Sequence, residues 1–193
     1  MVAPTVGVLA LQGGVREHVD MLASLGAAVT TVRTPKDLTG IDGVVIPGGE
    51  SSTIDRLLRI FGLFDPLREE LARGLPVLGT CAGLITLASE IVDPAPGQGS
   101  LGVIDMTVRR NSFGRQIASD VEKLATSYGE VRGAFIRAPE VLDARGAARV
   151  IARRGEAIVG VETDTAIAVS FHPELTGDTT IHERFLEAVS ARG

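Results

Sequence analysis

The sequence predicts a three-layer α/β fold: a mostly parallel mixed sheet flanked by helices, with an antiparallel strand insertion, in one domain spanning residues 1–193. Three observations predict it. Short apolar, β-branched runs such as "TVGVLAL" (5–11), "LPVLGTC" (75–81) and "AIAVSFHPE" (166–174) suit central strands covered on both faces. Helical patterns alternate with such runs through the first half, in the order β-α-β-β-α-β-α that marks a parallel sheet. The stretch from 99 to 163 instead reads as strand after strand, which marks the insertion.

The elements follow in order. After the first strand, Gly13-Gly14 makes a turn into "VREHVDMLASLGA", where Val15, Val19, Leu22 and Leu25 recur at helical spacing and Gly26 is a stop. "AVTTVRT" (28–34) is a second strand and "GVVIPGGESS" (43–52) a third that ends in a glycine turn. Residues 54–74 read as two helices broken near Gly62, the second with Asp65 as N-cap and Pro66 at its first position. "LPVLGTC" is a buried strand and "AGLITLASEI" (82–91) the helix after it. The insertion holds strands in "GSLGVIDMTVRRN" (99–111), "RQIASDVEKL" (115–124) and "EVRGAFIRAPEVL" (130–142), then a hairpin over 148–163 that turns at Gly155. A closing helix over 178–191 places Ile181, Phe185, Leu186 and Val189 on one face. Loop 92–100 carries no distinguishing pattern.

Composition narrows the function. The formal net charge of −5 speaks against nucleic acid as a partner. A single cysteine allows no internal disulfide and suits a reducing compartment. The apolar start has no basic stretch before it and reads as a strand rather than a targeting segment. No run approaches the roughly 20 apolar residues that span a bilayer, so a cytoplasmic protein is expected, with no membrane contact. Neither a phosphate-binding G-x-x-x-x-G-K-[ST] loop nor G-x-G-x-x-G is present. No cofactor and no metal are expected.

Four stretches carry chemistry. "GTCAGL" (79–84) places the lone thiol between two glycines at a strand-to-helix junction. A lone cysteine is ordinarily a passive core residue. Here the pattern G-x-C-x-G matches the nucleophile elbow, in which small neighbours permit a sharp turn that lifts the central side chain clear. The helix start then favours a thiolate, and the Ala82 amide is a natural oxyanion donor. In "FHPE" (171–174), His172 and Glu174 are two apart at a strand end, and Pro173 restrains both its own φ and the residue before it. A carboxylate on one imidazole nitrogen would set the tautomer and leave the other for Cys81. "PGGES" (47–51) lets backbone approach a ligand, with Gly49 able to complete an oxyanion hole. Arg110 in "RRNSFGRQ" (109–116) and Arg137 in "FIRAP" (135–139) could fork onto a carboxylate. His18 and His182 read as surface residues without a role. These residues support a cysteine acyl-transfer enzyme acting on a small anionic substrate. They do not choose that substrate.

Together the stretches resemble the class I, triad-type glutamine amidotransferases, which share a flavodoxin-like fold. Within that class, "GVLALQGGVREH" (7–18), "PGGESST" (47–53), "GTCAGLI" (79–85), "RRNSFGRQ", "FIRAP" and "SFHPELT" (170–176) are similar to the glutaminase subunit of pyridoxal 5′-phosphate synthase. The resemblance implies that Cys81 attacks the side-chain amide of L-glutamine, that His172 moves the proton and that Glu174 orients His172. It implies that Gly49, Glu50 and Ser51 hold the substrate, that Arg110, Ile136 and Arg137 line the pocket, and that Gln12 lies in a partner-coupled loop by the oxyanion hole. Ammonia would pass to a separate synthase subunit, in a complex whose dodecameric core the glutaminase subunits decorate. That subunit would make pyridoxal 5′-phosphate from ribose 5-phosphate and glyceraldehyde 3-phosphate. Two other readings stay open at this point: a related cysteine hydrolase of γ-glutamyl or other amide substrates, and a non-catalytic regulatory subunit.

Overall fold

A computed structural model of the chain describes residues 3–112 and 120–192. The first half runs β1 (Thr5–Leu9), α1 (Val15–Ser24), β2 (Ala28–Val32), β3 (Gly43–Ile46), α2 (Ser51–Ile60), α3 (Phe64–Ala72), β4 (Val77–Thr80) and α4 (Ala82–Leu87). Seven strands follow: β5 (Ala88–Val92), β6 (Ile104–Arg109), β7 (Asp120–Thr126), β8 (Gly129–Phe135), β9 (Glu140–Ala144), β10 (Arg149–Arg154) and β11 (Ala157–Glu162). The chain then returns through β12 (Ala166–Val169) and ends in α5 (Thr180–Arg192).

The sheet order is β2-β1-β3-β4-β12-β11-β10-β7-β8. From β2 to β12 every pairing is parallel, and from β12 outward every pairing on this path is antiparallel. β5, β6 and β9 form a branch that joins β11 at Ile158–Val141. The expected mixed sheet with an antiparallel insertion is therefore present.

Side-chain alternation explains the layers. Leu9, Val44, Ile46, Val77, Ala166 and Ala168 point to one face, where α2, α3 and α4 supply Ile54, Leu58, Leu67 and Leu84. Val6, Val8, Val45, Leu78, Ile167 and Val169 point to the other, against Leu22 of α1 and Ile181, Phe185 and Val189 of α5. Full burial of each such Leu, Ile or Val contributes roughly 1.5–3 kcal/mol, and doing so on both faces explains why these strands read as continuous apolar runs.

The structure corrects three expectations. The helix expected over 82–91 stops at Leu87, and Glu90, Ile91 and Val92 pair with Thr107, Val108 and Arg109 of β6. Tertiary pairing has overridden local helical preference. The helix after Gly62 starts two residues earlier than expected, with Leu63 rather than Asp65 as its N-cap, because Leu63 and Phe64 are buried and the Leu67 amide already donates to Leu63 O at 2.9 Å. Asp65 falls in the first turn, where it still suits the helix dipole. His18 and His182, expected on the surface, have no exposed area. The strand expected over 115–124 is described from Asp120 onward, and its start lies outside the described residues. Among the described residues, no helix is long and apolar enough to cross a membrane.

Candidate active site

Cys81 follows β4 directly and precedes α4. Its backbone sits at φ 50°, ψ −102°, a conformation that costs a non-glycine residue about 1–3 kcal/mol. The Cys81 amide donates to Val169 O at 2.8 Å, which ties the elbow to β12. The flanking glycines are required by close approach. A Cβ on Gly79 would lie 2.7 Å from the Gly83 carbonyl carbon and 2.8 Å from its oxygen. A Cβ on Gly83 would collide with the Ile46 carbonyl oxygen of β3. Both contacts are with backbone, which cannot rotate away. The strand, the elbow and the short helix are thus packed at glycine distance, and the thiol is directed outward by exclusion. At six residues, α4 is shorter than expected. Cys81 Sγ lies 3.8 Å from Ile136 O, the carbonyl that faces it from beyond β8.

His172 and Glu174 follow β12, the strand beside β4. His172 is fixed by backbone exchange with Ala134, donating to Ala134 O at 2.8 Å and accepting from Ala134 N at 3.2 Å. Its Nδ1 lies 2.7 Å from Glu174 Oε1. The other partner of the ring is Cys81. Burial alone would lower the His172 pKa, but the hydrogen bonds to Cys81 and Glu174 prevail and push it up to about 10. Burial likewise works to raise Glu174, yet hydrogen bonding to His172 and the neighbouring imidazoles keep its carboxyl below the ordinary value. Gly48 lies flat against the ring, with its missing Cβ position 3.0 Å from His172 Nδ1 and 3.3 Å from Nε2.

The "PGGES" turn is held from two sides. Gly48 N donates to Thr80 Oγ1 at 3.1 Å, and Gly48 O accepts from Gly14 N at 3.0 Å. Gln12 packs on Gly49 and accepts from Glu50 N at 2.8 Å. Glu50 caps α2: its carboxylate accepts from Thr53 N at 2.8 Å and from Ser52 N at 3.3 Å. Burial opposes but the Ser52 and Thr53 donors dominate, so its pKa is lowered. Glu50 is therefore a helix cap as well as a wall of the site.

Every residue expected to act lines one cavity of about 710 Å³: Cys81, His172, Glu174, Gly49, Glu50, Ser51, Arg110, Ile136, Arg137, Ala82 and Gln12. The antiparallel insertion supplies the wall opposite the thiol. Arg137 is at φ 46° and exposed, while Ile136 is 41% exposed. The rest of the "RRNSFGRQ" stretch, from Phe113, lies outside the described residues.

One residue behind the cavity wall has no signal in the sequence. Gln98, in the loop taken as undistinguished, accepts from Arg110 Nη1 at 2.6 Å and donates to Ser51 Oγ at 2.9 Å. It ties the guanidinium to the buried serine. Its own turn, in which Gln98 Oε1 also accepts from Ala95 N, offered no pattern in the sequence.

A thiol on a strained elbow, an imidazolium beside it and a carboxylate behind the ring can attack a carbonyl carbon and protonate a leaving amine. Comparison with known proteins gives this arrangement a family. Residues 8–191 match the model of the SNO glutamine amidotransferase family. The chain is 53% identical over 200 residues to the pyridoxal 5′-phosphate synthase subunit PdxT of Kineococcus radiotolerans, covering 98% of this chain and 97% of that protein. The PdxT of Streptomyces griseus is 52% identical over 191 residues, covering 97% of both chains. A crystal structure of a glutamine amidotransferase superposes with a TM-score of 0.90 at 45% identity, covering 96% of this chain and 98% of the other. PurLQS from Thermotoga maritima shares the fold, with a TM-score of 0.68 at 15% identity, over 98% of this chain and 97% of that one. The fold, the elbow and these likenesses agree: the chain belongs to the SNO glutamine amidotransferase family.

Proposed function

We propose that this glutamine amidotransferase is the glutaminase subunit of pyridoxal 5′-phosphate synthase, and that Cys81, His172 and Glu174 are its catalytic triad. The observation that carries the triad is the alignment of Cys81, His172 and Glu174 at one end of the cavity, with Nδ1 of His172 2.7 Å from Glu174 Oε1. Cys81 Sγ, its proton held by the His172 imidazolium, attacks the side-chain amide carbon of L-glutamine. The amides of Ala82 and Gly49 receive the charge on the tetrahedral oxygen. The carbon–nitrogen bond then breaks and His172 donates a proton to the departing ammonia, leaving a glutamyl thioester. Water, deprotonated by His172, attacks the thioester; glutamate leaves and the thiol is restored.

Arg110, oriented by Gln98, and Arg137 bind the substrate carboxylate, and Glu50 and Ser51 frame its other end. The ammonia passes to a separate synthase subunit, which uses it with ribose 5-phosphate and glyceraldehyde 3-phosphate. Gln12, seated on Gly49, is placed where docking of that subunit would be felt at the oxyanion hole. The working assembly is a dodecameric synthase core decorated with this subunit, acting in the cytoplasm.

The test is glutamate release from L-glutamine, with and without the cognate synthase subunit, for wild type and Cys81→Ala. Release that rises on docking and falls by about 10⁴-fold in the variant is expected. Full release by Cys81→Ala would remove the nucleophile. Release indifferent to the synthase subunit would remove the partner.

A further inference from the structure

Two buried histidines stand behind the triad. α1 and α5 cover the sheet face on which Thr80 lies, and each sends one imidazole toward it. His18 Nδ1 lies 2.9 Å from His182 Nε2, and the ring centroids are 5.1 Å apart. His18 Nε2 lies 3.1 Å from Thr80 Oγ1 and 3.5 Å from Glu174 Oε1. That Thr80 oxygen is the one that accepts from Gly48 N, and that Glu174 oxygen is the one bonded to His172. One imidazole therefore touches both the carboxylate side and the backbone side of the site.

The direction of these bonds follows from what surrounds them. The titratable groups facing His18 are Glu174, His172, His182 and Glu17; those facing His182 are His18, Glu174 and Asp178. Burial lowers the pKa of both rings, His182 to about 3, so both are neutral near neutral pH. Each neutral ring has one N–H and one bare nitrogen. Buried His182 Nδ1 has no hydrogen-bond partner among the described residues. A buried orphan acceptor is tolerated better than a buried orphan N–H. The His182 proton is therefore on Nε2 and is donated to His18 Nδ1. His18 then carries its proton on Nε2, facing the Glu174 carboxylate and the Thr80 hydroxyl. The opposite tautomer would aim a bare nitrogen at a carboxylate.

Resting on the Cys81–His172–Glu174 triad, we propose that His18 and His182 are positioning residues. The pair forms a one-way chain, His182 to His18 to Glu174 and Thr80, that holds the triad carboxylate and the Gly48 turn in one register. His182 fixes the tautomer and His18 makes the contacts. Loss of the His18 donor would free Glu174 and, through Thr80, the turn against the His172 ring.

The chain has three histidines, which makes a direct test clean. Imidazole ¹⁵N NMR of the wild-type protein, assigned with His18→Gln and His182→Gln, reads each tautomer. Two neutral rings with the proton on Nε2 are expected near neutral pH. A His18 proton on Nδ1, or a charged ring near neutral pH, would overturn the proposal. Kinetics with the synthase subunit supply the second readout. His18→Leu should lower kcat about 10–100-fold with KM little changed, since small misplacements of catalytic groups act on this scale. His18→Gln, which keeps a donor near Nε2, should recover most of that loss. Equal loss in both variants, or none in His18→Leu, would also overturn it. Failure of the triad itself would show separately, as activity in Cys81→Ala.

Discussion

The parallel half of the sheet and the antiparallel insertion are built to different rules. The central parallel strands β1, β3, β4 and β12 are buried on both faces, and the carboxyl ends of β3, β4 and β12 carry the glycine turn, the elbow and the His-Pro-Glu segment. The insertion is half exposed. In β7 only Leu124 is buried, in β8 Gly129, Glu130 and Arg132 are exposed, and the surface holds ion pairs such as Lys123–Glu130. Yet both halves reach the cavity. The parallel half supplies the atoms that would react, placed by backbone against backbone. The insertion supplies Arg110, Ile136 and Arg137, which contact whatever enters. Reactive geometry sits where the packing cannot relax, and recognition sits where it can.

That contrast can be broken at Gly83. An added Cβ would meet the Ile46 carbonyl oxygen, so Gly83→Ala must push α4 away from β3 or tilt the elbow. A loss of about 3 kcal/mol or more in unfolding free energy is expected, at the upper end of single-residue effects. Denaturant melts would check it. A variant of unchanged stability and activity would show that the elbow is softer than its geometry states.

The insertion should respond in binding rather than in stability. Arg110 is held by Gln98 and Glu50 and points its guanidinium into the cavity wall. Arg110→Leu should raise the KM for glutamine about 10–100-fold while kcat changes little, as expected when binding common to the ground and transition states is removed. Gln98→Ala should follow in the same direction with a smaller effect, because it leaves the charge but frees its orientation. If kcat fell instead and KM held, the insertion would be acting on the chemical step.

What could be read in the sequence follows the same division. The elbow and "FHPE" were legible because their chemistry depends on residues within a few positions of one another. Strand order in the first half was legible because double-sided burial leaves apolar runs. Gln98 was not, since it joins Ser51 across 47 positions and Arg110 across 12, and a lone glutamine in a Pro-Gly loop has no period. The end of α4 was hidden for a related reason: β6, which pulls the chain into a strand, lies more than a dozen residues ahead. His18 and His182 are a different failure. His18 stands four before Leu22, and His182 three before Phe185 and seven before Val189, so spacing already put both on buried stripes. Their place on the helix, not their residue type, carries the signal of their burial.

The mildest prediction concerns that exposed surface. Lys123 and Glu130 approach to 2.8 Å across β7 and β8, but both side chains are more than 60% exposed. Holding two long side chains together in water costs entropy that nearly offsets a screened Coulomb gain. Lys123→Ala should therefore change stability by less than about 0.5 kcal/mol and leave glutamine turnover untouched. The useful measurement is a pair of melts, at low and high salt, together with turnover in the presence of the synthase subunit. A shift above about 1 kcal/mol would mean that this hairpin surface is held as tightly as the parallel half. A loss of synthase-stimulated turnover without a shift in stability would instead place Lys123 at the docking face. In either case the insertion could no longer be treated as the tolerant part of the molecule.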